Sequence, residues 1–219
     1  MCTCGRPKPE YGKRPAWSEH LFAWAWSHFT GPLEKSYGRM KDRLFAGLSG
    51  EVVEIGPGAG INFRHFPKGV HVRGIEPNAF MHPYLHEAAA AEGLQLTIDP
   101  GHAEEIGLPD NSVDAVVSTL VLCSVFEPAT ALSEIRRVLK PGGRFYFIEH
   151  VAAPKGTRMR AAQDFVQPLW TKIGDGCYPN RETAPLIEAA GFRQVDLQPK
   201  DVRNPFIIVK PHIIGWAEK

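Results

Sequence analysis

The sequence predicts an α/β domain built on a mostly parallel sheet. Three observations carry that expectation. From Glu51 onward, short β-branched segments alternate with amphipathic ones. Gly, Pro, Asn or Asp bounds each segment. The first segment runs directly into a glycine-rich bend, "VVEIGPGAGINF", Val52 to Phe63. Strand–helix alternation of this kind folds as parallel strands joined by crossover helices, and ligands of such sheets bind beyond the C-terminal strand ends, at the switch point beside the first strand.

The elements follow in order. "WSEHLFAWAWSHFTG" reads as a helix begun near Ser18 and closed at Gly31, with Trp17, Leu21, Trp24 and Phe29 at helical spacing and Phe22 and Trp26 widening the apolar face. That face is expected to pack on the main domain, either as plain packing or as a lid over a site; contact with a membrane surface is the less favoured alternative. A second helix is expected from Pro32 to Ala46, ended by Gly47. "EVVEI", "VHVRGIE", "LQLTID", "VDAVVSTL" and "GRFYFIEHV" read as strands. "NAFMHPYLHEAAAAEG" and "EPATALSEIRRVLKPGG" read as helices, the second with Ala131, Leu132, Ile135, Val138 and Leu139 on one face and Pro141-Gly142-Gly143 as its stop.

Composition narrows the function classes. A chain of 219 residues with 43% hydrophobic and 22% charged residues suits one globular domain with a sizeable core. With 25 basic against 24 acidic residues there is no electrostatic footprint for nucleic acid. No apolar run reaches the roughly 18 residues that a membrane-spanning helix needs, and no signal peptide opens the chain, so a cytoplasmic setting is expected. Four cysteines are too few for a disulfide framework. Cys2 and Cys4 form a C-x-C pair with no completing ligand nearby, so no metal site is expected.

The glycine loop selects between cofactors. A dinucleotide fingerprint starting at Gly56 requires glycine at position 61, which is Ile61; the third glycine comes early, at Gly60. Glu54 sets a carboxylate beside the loop, wrong for pyrophosphate and right for a cation.

Acid-x-G-x-G-x-G after a first strand resembles motif I of the class I S-adenosylmethionine-dependent methyltransferases. "GIEP", "GHAEEIGLPDNSVDAVVS" and "EIRRVLKPGGRFYFIEH" resemble later segments of that superfamily, the last of them its ubiquinone-biosynthesis-like members. "STLVLCSV", "EHV", "IGDGC", "RET" and "PHIIGWA" are similar to the methyltransferase-like seven group of alkyl-thiol S-methyltransferases. The resemblance implies a Rossmann-like fold with a seven-stranded, mostly parallel sheet, residues 1–47 forming a tail and helical lid and residues 48–219 the methyltransferase domain. It implies S-adenosylmethionine held by Glu54, Gly56, Gly58, Gly60, Glu76, Pro77, Asn78 and Thr119, with Glu76 on the ribose hydroxyls. His102 stands where the superfamily often has an acid, so the Ala103 backbone is the expected adenine contact. Animal members of the group begin with a hydrophobic anchor, from which this sequence departs.

On the acceptor side, His150 has the right chemistry for a general base, with a structural histidine at a strand end as the alternative. Asp175, between two glycines, either orders that base or only shapes a turn. Trp24, Cys123, Cys177 and His212 are the expected pocket residues, Cys123 and His212 having plain structural roles as alternatives. The expected partner is a small thiol or sulfide. A quinone, phenol or lipid-amine acceptor, or a non-catalytic S-adenosylmethionine-binding module, remains the alternative.

Overall fold

The computed structural model describes residues 15–29, 31–203 and 205–219; Cys2 and Cys4 lie outside them. Two N-terminal helices, α1 (Ala16–Phe29) and α2 (Gly31–Phe45), precede the strands β1 (Glu51–Ile55), β2 (His71–Ile75), β3 (Gln95–Asp99), β4 (Val113–Thr119), β5 (Leu139–His150), β6 (Gln194–Asp201) and β7 (Pro211–Glu218). Between them run α3 (His82–Glu92), α4 (Pro128–Val138), α5 (Arg158–Ile173) and α6 (Thr183–Ala189). The sheet order is β3-β2-β1-β4-β5-β7-β6. β1 to β5 pair in parallel, and β7 enters antiparallel between β5 and β6. Chain direction across the sheet reverses between β1 and β4, which places the glycine loop at the switch point.

The central strands are buried on both faces, as near-continuous apolar runs require: Val53, Ile55, Val116, Val117, Phe145 and Phe147 are fully enclosed. α4 starts at Pro128, whose missing N–H costs nothing in a first turn, and buries Ala131, Leu132, Ile135 and Val138. One boundary differs from expectation. α4 ends at Val138, and β5 begins at once, carrying Pro141-Gly142-Gly143 inside it. Pairing passes from Val113↔Leu139 to Ala115↔Arg144, so those residues form a bulge, and Gly142 takes φ 77° within it.

The N-terminal helices differ in how they pack. Phe45 of α2 lies in one core cluster with Val52, Phe63 and Val117, and Tyr37 lies in another with Ile148 and Val202. α2 therefore belongs to the packing of the sheet. In α1 the expected stripe faces the other way. Trp17, Leu21 and Trp24 are 71%, 54% and 45% exposed, while Ala23 is buried and Phe22 and Trp26 are half-buried. Helical periodicity finds an apolar stripe, but with aromatics all round the helix it does not say which side meets the domain.

His212 joins α2 to the sheet. Its Nδ1–H donates to the Lys210 carbonyl (2.9 Å) and its Nε2 accepts from the Tyr37 hydroxyl (2.7 Å). Burial pushes its pKa down to about 4, so the ring is neutral. Both nitrogens are committed, and the position expected in the substrate pocket acts as a structural clasp.

Two variants measure this packing. Phe45→Ala should cost about 3–5 kcal/mol in denaturant unfolding; a loss below about 1 kcal/mol would mean that α2 is detachable. Tyr37→Phe leaves a buried nitrogen without its donor and should cost about 1–3 kcal/mol, read as a lowered Tm.

Candidate active site

The donor side assembles around the bend after β1. Gly56, Gly58 and Gly60 take φ of 54°, 57° and 74°, in the left-handed region that favours glycine. A Cβ at Gly56 would fall 2.8 Å from Val121, and one at Gly60 2.7 Å from Ala88. At Gly58 the nearest neighbour is the indole of Trp26, 3.4 Å from where a Cβ would stand.

Glu54, last but one in β1, is 1% exposed. Its Oε1 accepts from Asn62 Nδ2 at 2.6 Å, and its Oε2 has no partner. Burial raises its pKa to about 7, against the pull of the Asn62 hydrogen bond and the Lys41 ammonium. Lys41, 4% exposed, is itself paired with Glu34 at 2.6 Å. Asn62 also donates to Thr119 Oγ1 at 3.0 Å, bridging the ends of β1 and β4, and its own Oδ1 is buried without a partner. Asn62 escaped the sequence reading. Its one signal is a lone amide between Ile61 and Phe63.

Glu76, just beyond β2, accepts from the backbone N–H of Gly58 and of Asn78, each at 3.0 Å. A carboxylate offers about four lone-pair sites, so two remain open. Burial raises its pKa and these backbone N–H groups oppose that rise. Pro77 is exposed, and Asn78 donates from its amide to the Glu19 carbonyl at 3.1 Å, fastening α1 over this corner. His20 meets Phe80 edge-on at 5.1 Å in the same contact. A cleft of about 290 Å³ opens beside the ends of β2 and β3, lined by Ile75, Gly101 and Glu105 among others. Ala103 is buried close by in sequence, and half-buried His102 has its pKa lowered by burial, against the acids Glu104 and Glu105.

A second group of side chains gathers at the ends of β4 and β5. Leu120, at φ 60°, turns the chain out of β4 and leads to Cys123. Arg181 donates to the carbonyls of Leu122 (2.7 Å) and Val125, pinning this loop. The Tyr178 N–H donates to the Cys123 carbonyl at 2.9 Å, tying it to the loop after α5. Glu149 accepts from Ser118 Oγ at 2.5 Å and from the Val121 N–H at 3.2 Å. Fully enclosed, it has its pKa raised by burial.

His150 ends β5 and is 4% exposed. Its Nε2 lies 3.1 Å from Cys177 Sγ, and its Nδ1 is buried without a partner. Trp170 Nε1 donates to the same sulfur at 3.2 Å. The ligand atoms of Cys123, His150 and Cys177 all lie within 4.8 Å of one another, a set of the kind that could hold a soft metal ion. No metal cluster was expected from the sequence, because 54 residues separate Cys123 from Cys177 and only the fold joins them. Asp175 sits in the turn at φ 54°, next to the cluster in sequence but not hydrogen-bonded to His150. Trp24 is stacked on His28 at 5.2 Å, and it is Trp26 that reaches the glycine loop.

This site has known counterparts. Residues 53–147 match the family model described as a methyltransferase domain. The chain is 40% identical over 200 residues to thiol S-methyltransferase TMT1B of Rattus norvegicus, covering 84% of this chain and 82% of that protein. It is 40% identical to thiol S-methyltransferase TMT1A of Homo sapiens over 181 residues, 80% of this chain and 74% of that one. Among solved structures, the methyltransferase bound to the Trm112 activator in Haloferax volcanii superposes with a TM-score of 0.68 at 17% identity, covering 91% of this chain and 96% of that one, a likeness of fold. At this identity over most of both chains, the protein belongs to the family of S-adenosylmethionine-dependent methyltransferases that includes the thiol S-methyltransferases TMT1A and TMT1B.

Proposed function

We propose that the protein methylates the sulfur of small thiols in a reducing, cytoplasmic compartment. The observation that carries this reading is the 40% identity to thiol S-methyltransferases across more than four-fifths of both chains. The donor-side geometry fits S-adenosylmethionine. The bare Glu54 Oε2 and Asn62 Oδ1 are unpaired buried oxygens that suit a cationic ligand, and the glycine loop leaves room that side chains would fill. S-adenosylmethionine supplies an electrophilic methyl group on a sulfonium.

The protein's own residues do the rest. Glu54 would neutralise the cationic end and Asn62 would help orient it, Glu76 and Asn78 would hold the ribose corner, and the Ala103 backbone would meet the adenine. α1 closes over the loop as a lid through Trp26, Asn78 and Phe80, keeping water from the reacting atoms. His150 presents an unpartnered Nδ1 at the end of β5, able to take a proton from an acceptor thiol. A free thiol has a pKa of about 8.5, so one weak base suffices at neutral pH. Near-attack positioning supplies much of the remaining acceleration. Cys123 and Cys177 are free thiols, which suits a reducing setting.

An acceptor screen with labelled cofactor tests the reading directly. Thiols should be methylated and catechols, quinols and amines left untouched; turnover of those acceptors with none on any thiol would refute it. On the donor side, Glu76→Ala should weaken S-adenosylmethionine binding at least tenfold by calorimetry, because charge-assisted hydrogen bonds are worth about 1.5–3 kcal/mol each. Unchanged binding would remove Glu76 from the site.

Glu54 makes binding depend on pH. In the free protein its carboxyl is protonated below about 7. A bound cation favours the carboxylate and lowers that pKa, so binding releases a proton in the window between the bound and free values. Affinity should therefore rise with pH up to about 7, by at most about tenfold per unit, and level off above. Glu54→Gln should bind more weakly and lose this part of the slope. A wild-type slope retained in Glu54→Gln would assign the proton elsewhere.

A further inference from the structure

We propose that Cys123, His150 and Cys177 form an exchangeable binding site for a soft metal ion of the Zn²⁺ type, and that an ion held there stops methyl transfer. The second half rests on the thiol-methylation reading, with His150 as the proton acceptor. The first half rests on geometry.

The three side chains come from separate elements: Cys123 from the turn after β4, His150 from the end of β5, and Cys177 from the loop after α5. Their ligand atoms all lie within 4.8 Å of one another, and all three residues are buried. Tetrahedral zinc, with bonds of about 2.3 Å to sulfur and about 2.0–2.1 Å to nitrogen, holds its ligand atoms roughly 3.5–3.8 Å apart. His150 Nε2 and Cys177 Sγ stand closer than that, at 3.1 Å, and no pair exceeds 4.8 Å. Shifts of about 1 Å therefore seat an ion. The contact between His150 and Cys177 can be written with either atom as donor. An ion replaces it by two bonds to one centre, whichever way the proton lay.

The chain holds the set together before any ion arrives. Cys177 N–H donates to the Gly174 carbonyl at 3.0 Å and Tyr178 N–H to that of Cys123 at 2.9 Å, so main-chain bonds tie the two sulfur positions. Asp175 and Gly176 make the left-handed turn between them and α5, at φ 54° and 76°. Trp170 Nε1 donates to Cys177 Sγ at 3.2 Å, the kind of outer hydrogen bond that keeps a ligating atom in place.

The donor set selects the ion. Two sulfurs and an imidazole suit zinc and similar soft ions, whereas Mg²⁺ and Ca²⁺ demand oxygen ligands. The affinity is limited at His150, whose Nδ1 is buried without a partner. A ligating imidazole that lacks its outer anchor loses roughly 10–100-fold in metal affinity. A structural zinc site also has four protein ligands where this one offers three. Both features mark an ion that comes and goes.

The unanchored nitrogen also gives the ion its effect. Coordination releases the two thiol protons to solvent and uses the Nε2 lone pair, which leaves the ring proton on Nδ1. Nδ1 is the atom proposed to take the acceptor's proton, and an N–H cannot take another. Ion and acceptor proton thus compete for one ring, and the loaded protein is the inactive form.

Three measurements on the full chain, kept reduced with a phosphine, test this. First, equilibrium dialysis against buffered Zn²⁺ followed by elemental analysis should find one equivalent that survives in Cys2→Ser/Cys4→Ser. Its affinity should fall at least tenfold in Cys123→Ser and in Cys177→Ser, and Mg²⁺ should not compete. Zinc lost with Cys2 and Cys4 would belong to the N-terminal C-x-C pair and overturn the site, as would a protein that binds none. Second, Co²⁺ in place of zinc should give sulfur-to-metal charge-transfer bands and the strong d–d absorption of tetrahedral coordination; an octahedral spectrum without the sulfur bands would overturn it. Neither readout involves an acceptor, so failure of the site and failure of the thiol-methylation reading are distinguishable. Third, buffered Zn²⁺ should lower the wild-type rate on a thiol at least tenfold, a chelator should restore it, and Cys123→Ser should lose this sensitivity. Inhibition that persists in Cys123→Ser would come from zinc held by the acceptor, and faster turnover with zinc would come from an ion that activates the acceptor. Either result would overturn the inhibitory role. Should a serine variant fail to fold, the cobalt spectrum of the wild type and of Cys2→Ser/Cys4→Ser still decides.

Discussion

A buried carboxylate with one bare oxygen is the constraint around which the molecule is arranged. Glu54 lies within β1, opposite Val117 of β4, with only Asn62 to satisfy it. Enclosing an acid this way opposes folding wherever the acid must be charged. Its raised pKa means that the folded state holds a proton that the unfolded chain would release between about 4.5 and 7, so stability declines as pH climbs through that window. The surroundings limit the cost. Lys41 lends a positive field from α2, and Glu34 and Asp42 in turn bracket His65. α2, the glycine bend and the switch point are thus coupled through charge as well as through packing.

The two halves of the site are built by different means. The donor half is local: Glu54 to Phe63 is one short run of chain whose strand, bend and acid are contiguous, and Glu76 reaches back to it through a single backbone hydrogen bond. The half proposed for the acceptor is assembled at long range, from the ends of β4 and β5 and the loop after α5, held by Arg181 and by backbone bonds across the gaps. The fold alone does not choose the acceptor, since function sits in the site and a superfold hosts many.

That difference explains what was legible in the sequence. The five parallel strands, α3 and α4 follow from alternation and punctuation, because short-range periodicity is what those elements are made of. The glycine loop and its acid were readable for the same reason. Periodicity did not reveal the side on which α1 packs, nor that Trp26 is the indole that reaches Gly58. Nor did it reveal that His212 is clasped by Tyr37, 175 residues away, or that Trp170 and His150 converge on Cys177. Each of these is a contact between residues with no local signature. His150 and Cys177 were picked out by type and position, but their pairing exists only once the strands are in register.

The placement of β7 has a consequence for assembly. It is the last of the seven strands to leave the ribosome, yet it lies between β5 and β6, with His150 opposite His212 in its register. The parallel portion from β1 to β5 has its order settled by connections already synthesised. The edge of β5 stays unpaired until β7 arrives. Pairings that wait on distant chain are slow and expose their partners meanwhile. The nascent protein should therefore acquire the glycine-loop corner first and the Cys177 end last, passing through a stage in which that sulfur has no fixed histidine beside it.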